Sequence, residues 1–134
     1  VIGDENMQYY FSKILKTPFD EAVTMVIDGL KKEGFGILTE IDVQKTLKNK
    51  LDVDFRKYRI LGACNPPFAH KALLAEDKIG TMLPCNVIIQ EIDSGKTEVA
   101  AIDPIASMQA IDNPSLGEIA TLIRAKLSKV IESL

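Results

Sequence analysis

Pro84-Cys85-Asn86-Val87-Ile88-Ile89-Gln90-Glu91-Ile92-Asp93-Ser94-Gly95-Lys96-Thr97-Glu98-Val99-Ala100-Ala101-Ile102-Asp103 is the stretch whose reading decides the fold. Two β-rich apolar runs flank Asp93-Ser94-Gly95, a connector short enough for a hairpin, with Gly95 suited to the left-handed position. Neighbouring strands are therefore expected to be antiparallel. Both faces of this sheet read as apolar. One face is assigned Ile60, Val87, Ile89 and Val99, and the other Leu61, Ile88, Ile92, Ala100 and Ile102. An antiparallel sheet that turns one face to water normally alternates apolar and polar residues, so the second face here calls for a cover. Short helices, a ligand or another subunit are the candidates, and a homodimer is expected.

Upstream, residues 7–15 are rich in β-formers and read as a strand. Thr17 is read as a helix cap, with Pro18 at the first helical position and Asp20 in the first turn. Phe19, Ala22, Val23, Val26, Ile27 and Leu30 then form one apolar stripe at helical period, which Gly34 ends. Residues 35–41 read as a second strand. Val43, Leu47 and Leu51 mark a short helix whose lysines, Lys45, Lys48 and Lys50, suit a solvated face. Residues 57–64 read as a third strand, and Asn65-Pro66-Pro67 as the cap and first turn of another short helix. Downstream, Pro104 ends the last strand, and residues 104–113 form a loop with a turn of helix around Ile105 to Met108. A final helix follows, starting near Asn113-Pro114 or at Ser115, where Ser115 and Glu118 match a capping box. Its stripe runs through Leu116, Ile119, Ala120, Ile123, Leu127, Val130, Ile131 and Leu134.

The order is β-α-β-(short α)-β-(short α)-β-β-α. It predicts an α+β fold: a largely antiparallel five-stranded sheet, two long helices on one face, and short helical insertions. The 134 residues suit one domain, 1–134, that buries about two-thirds of its unfolded surface without help from metal or disulfide. Met7 is a candidate natural start, with residues 1–6 a flexible or added tail. With a net charge of −3, no basic block and no tryptophan, no nucleic-acid partner is expected. No apolar run approaches the ~20 residues of a membrane span, so no membrane association is expected. Two cysteines in a chain without a signal-peptide layout point to free thiols and a cytoplasmic location.

Chemistry is concentrated between Gly62 and Val87, which hold the single histidine, His70, and both cysteines, Cys64 and Cys85. Cys64 precedes a helix start, where the positive end of the helix dipole favours a thiolate. His70 follows six residues on, and Cys64-Asn65 is echoed by Cys85-Asn86. The plainer reading is that free cysteines are small core hydrophobes, Asn65 a cap and His70 a surface residue. Two cysteines and one histidine fall one ligand short of a tetrahedral zinc set, so no intrachain metal site is expected. The eight glycines form no phosphate-binding loop, and no cofactor is expected.

These residues carry a resemblance. The stretches 41–48 (Ile-Asp-Val-Gln-Lys-Thr-Leu-Lys), 59–73 (Arg-Ile-Leu-Gly-Ala-Cys-Asn-Pro-Pro-Phe-Ala-His-Lys-Ala-Leu) and 83–87 (Leu-Pro-Cys-Asn-Val) resemble the bacterial and archaeal family called domain of unknown function 302. The likeness covers about residues 7–134. It implies a TATA-binding-protein-like β-α-β4-α arrangement and dimers, and implies no activity, cofactor or substrate. A shared fold says nothing about binding DNA.

Three functions follow as expectations. The first is a non-catalytic homodimeric domain that binds or senses a small molecule at Cys64, Asn65, Pro66, His70, Cys85 and Asn86. The second is a thiol-dependent enzyme or redox sensor, with Cys64 as nucleophile and Cys85 resolving. The third is a structural or partner-binding dimer. No complete catalytic set is legible.

Overall fold

The computed structural model describes residues 8–134. The expectations about Met7 and residues 1–6 lie outside the described residues. Five strands form one sheet: β1 (Tyr10–Leu15), β2 (Gly36–Asp42), β3 (Tyr58–Cys64), β4 (Cys85–Asp93) and β5 (Lys96–Ile102). Their order across the sheet is β1-β5-β4-β3-β2, and every neighbouring pair is antiparallel. The helices are α1 (Phe19–Lys32), α2 (Val43–Leu51), α3 (Pro66–Ala75), the single turn α4 (Pro104–Ser107) and α5 (Pro114–Ser133). A 3-10 turn, Asp77–Met82, joins α3 to β4. This is the α+β arrangement expected from the sequence.

The two long helices cover one face of the sheet. The α1 stripe buries Phe19, Ala22, Val23, Val26 and Leu30, and that of α5 buries Ala120, Ile123, Leu127, Val130 and Ile131. They form one core with Leu61, Val87, Ile89 and Val99, none of which retains any solvent exposure. At about 1.5–3 kcal/mol for each fully buried large apolar side chain, this contact dominates the stability of the domain.

The pairing corrects one assignment. Leu61, not Ile60, pairs with Val87 and shares the buried face; Ile60 pairs with Ile88 on the open side. Alternation along β3 was legible, but its phase relative to β4 depends on register, which a single strand does not encode.

Helix starts differ from expectation in an instructive way. Pro18, with ψ of 152°, holds the cap position of α1, while Thr17 instead accepts a 2.7 Å hydrogen bond on its carbonyl from buried Thr97 Oγ1. Of the two starts expected for α5, Asn113-Pro114 is the one formed: Asn113 caps the helix by accepting from the amides of Ser115 and Leu116, so Ser115 lies inside it and the Ser115–Glu118 capping box is not formed. Asn65 occupies the cap position of α3 but makes no side-chain cap bond there. Its Nδ2 donates to the carbonyl of Glu33 at 3.3 Å, tying α3 to the end of α1. Gly34, at φ +86°, leaves room for that amide, since a Cβ on it would sit 3.1 Å from Asn65 Nδ2.

Gly62 is needed for a different reason. A Cβ there would meet Thr39 Oγ1 and lie 2.7 Å from Cγ of Pro84. Thr39 can turn away, but the proline ring cannot. Gly62→Ala is expected to cost about 1–3 kcal/mol in urea denaturation, in the range of core overpacking. Gly80→Ala, where a Cβ meets nothing within 4 Å, should stay within about 0.5 kcal/mol of wild type.

Candidate functional site

The helices do not close completely over the C-terminal end of β3. The helix α3 presents Ala69 and Ala72, and α5 presents Ala120, all short side chains. Between them, Ala63 and Cys85 on the sheet, and Met108 beyond α4, a cavity of about 260 Å³ remains. Its walls are almost wholly carbon. The lining residues that carry a thiol or an amide are Cys64, Cys85 and Asn65. Phe35 and Phe68 add ring faces, and Leu38 and Leu73, both substantially exposed, mark the mouth.

Three of the six residues singled out in the sequence therefore share this cavity. Register brings the thiols near each other: Ala63 pairs with Cys85, and Cys64 follows as the last residue of β3, where the chain leaves the sheet for α3. Cys64 is half-buried, Cys85 is buried, and neither is in a disulfide. Burial first, and the neighbouring Cys64 second, push the Cys85 thiol up to about 11. Cys85 is thus a neutral, poorly nucleophilic thiol at neutral pH.

The other three residues lie elsewhere. Pro66 and His70 are exposed and do not line the cavity. His70 follows Phe68 and Ala69 but precedes Ala72, the helix position that returns to the interior. Asn86 is exposed on the opposite face of the sheet, where it lines a shallow trough with Tyr9, Tyr10 and Tyr58. A Cys64–His70 pair at one site is not formed. Among the described residues, no group of three or more His, Cys, Asp or Glu side chains is placed to hold a metal ion.

The sequence reading missed the α5 wall, Ile119, Ala120 and Ile123, together with Met108. A signal was present, since the α5 stripe continues to Leu116, beyond what the sheet contact needs. It also missed an ion pair at the far edge of the sheet, where Arg59 holds Glu40 at 2.6 Å with its guanidinium 5.5 Å from the Phe19 ring.

An antiparallel five-stranded sheet, two helices on one face and a preformed apolar cavity at the strand ends define an α+β domain with a small-molecule-sized void. The chain belongs to the family described as Domain of unknown function DUF302, which matches residues 11–134. It is similar to the crystal structure of an uncharacterized conserved DUF302 protein from Bacillus stearothermophilus. That likeness has 28% identity and a TM-score of 0.85, covering 93% of this chain and 97% of the other. No curated protein matches the chain. Among the described residues, no helix is long and apolar enough to cross a membrane.

Because folding holds the Cys85 proton more tightly than the unfolded chain does, ionisation favours unfolding as pH rises from 9.0 towards about 11. At neutral pH, wild type should be more stable than Cys85→Ala. That advantage should shrink by roughly 2–3 kcal/mol over this window, read by urea denaturation of both proteins at matched pH.

Proposed function

We propose that this protein is a non-catalytic domain that binds a small apolar molecule in the cavity beside Cys64, Asn65 and Cys85, and that it works as a homodimer in the cytoplasm. The observation that carries the reading is the cavity itself. An apolar cavity of ~150 Å³ suffices for benzene, so about 260 Å³ suits an apolar ligand of roughly ten heavy atoms. Pockets for small molecules are mostly apolar and largely preformed, with a few polar groups that orient the ligand. Asn65, Cys64 and Cys85 are the groups that would do so here. Free thiols, one of them buried, agree with a reducing compartment.

The test uses n-butylbenzene as probe. Saturation to about ten times its Kd should stabilise the protein by ~1.4 kcal/mol, a rise of roughly 3–6 °C in Tm. Ala72→Leu fills the void and should abolish the rise. Ala69→Leu does so from the mouth, in case the first variant folds poorly. No shift with the probe, or an equal shift in both folded variants, would sink the proposal.

One observation favours the thiol-sensor reading: Cys64 and Cys85 are close enough for charge on one to act on the other. In that reading Cys64, half-buried at the cavity wall, reacts first. Iodoacetamide at pH 7.5 should modify Cys64 before Cys85, and n-butylbenzene should slow it. Modification of Cys85 first, followed by mass spectrometry, would remove this alternative.

A further inference from the structure

Among the described residues, no helix packs on the second face of the sheet over β4, β5 and β1, since the long helices packed against these strands lie on the other side. The strand register sorts its residues into rows. Ile41, Ile60, Ile88, Ala100 and Ser12 are successive partners across all five strands, a band that is apolar up to Ser12 on β1. Beside it runs Tyr58, Gln90, Glu98 and Ile14. On the other side lie Asn86, Ile102 and Tyr10. Among these positions Glu98 alone is charged, although 26% of the chain is. All three tyrosines, Tyr9, Tyr10 and Tyr58, line the trough on this face. Enrichment in tyrosine and depletion of charge distinguish protein interfaces from ordinary surface.

We infer that this face is where a second copy of the chain packs, sheet on sheet, about a two-fold axis running along β4. The inference rests on the homodimer proposed above and names its surface. The axis makes the face self-complementary, as an isologous dimer requires. Ile88 falls on the partner's Ile88, and Ile60 on the partner's Ala100, large against small. The strands of the two sheets stay within about 30° of each other, the usual aligned packing.

The charges fit the same axis. Arg56, just before β3, donates from Nε to Gln90 at 2.8 Å, and Gln90 donates on to Glu98 at 2.8 Å. Within one chain the arginine and the carboxylate are thus held apart by an amide, on opposite sides of β4. The axis exchanges those sides and brings Arg56, with the Tyr58 beside it, to the partner's Glu98. An axis perpendicular to the strands would set Glu98 against the partner's Ile102, with no cation opposite.

Sedimentation equilibrium at micromolar concentration tests this. Wild type should show twice the 14.8 kDa chain mass. Ile88→Lys should be monomeric, yet keep its cooperative melt and its Tm shift with n-butylbenzene. Arg56→Glu and Glu98→Arg should each raise the dimer Kd by about tenfold or more. An equal mixture of those two variants should recover the wild-type Kd, because each chain then meets its opposite charge. A monomeric wild type would overturn the inference together with the homodimer reading. A dimer that survives Ile88→Lys, or a mixture no tighter than either variant alone, would overturn this surface and leave that reading standing. The n-butylbenzene shift reports on the cavity in either case.

Discussion

The contact between the helix stripes and the inner row Leu61, Val87, Ile89 and Val99 is what the other elements depend on. It aligns α1 and α5 over the middle of the sheet and leaves the strand ends to be closed by whatever chain is at hand. That chain is α3, of ten residues, with Ala72 as its one buried position. Packed interiors rarely keep voids, because each wall atom without a neighbour forgoes its dispersion contacts. Here alanines from three directions, Ala63, Ala72 and Ala120, meet where leucines would fill the space. The void follows from residue choice at that corner, and the long-helix contact elsewhere supplies the stability that tolerates it.

Two asparagines hold the corner open. Asn65 reaches from the start of α3 to the end of α1, and Asn113 reaches from the start of α5 to the carbonyl of Ala75, the last residue of α3, at 2.9 Å. The short helix is therefore pinned at both ends to the two long ones. A buried amide with its partner in place stabilises modestly, but one left without a partner costs about 1–3 kcal/mol, so each tie penalises displacement of α3. Asn113 serves twice, since its oxygen caps α5 while its nitrogen holds α3. These ties keep the cavity a property of the folded chain and not of a transient opening.

Much of this fold was legible because it is periodic. The α1 and α5 stripes and the Asp93-Ser94-Gly95 hairpin gave the two long helices and the antiparallel pairing directly. The phase of β3 was not legible, since Ile60 and Leu61 are equally apolar and only pairing with Val87 or Ile88 separates them. The caps were legible only in part: Asn113 is a cap, whereas Thr17 and Ser115 are not. Asn65 and Asn113 stand where local rules place a cap, but their amides also satisfy carbonyls 32 and 38 residues away, which no local pattern contains. Half of the candidate site failed to converge on the cavity. For Asn86 the warning was available, because a residue adjacent to inward Cys85 in a strand must face outward. The α5 wall needed the crossing of helix and sheet, a tertiary fact.

Proximity in sequence thus overstated the chemistry of the Gly62–Val87 segment. A histidine that activates a thiol must come within hydrogen-bond reach of it, and His70 stands on the solvent side of α3. Cys85 keeps its proton because burial makes the thiolate costly, so its sulfur offers polarisability, not charge. In a wall of carbon with Phe35 and Phe68 nearby, such a sulfur favours aromatic and aliphatic surface over anions or strongly hydrated groups. Water gains little in a cavity with so few partners to bond. The same features that deprive the site of an acid–base pair make it a better receptor for an apolar molecule. Its selectivity then comes from shape, set by where α3 is pinned.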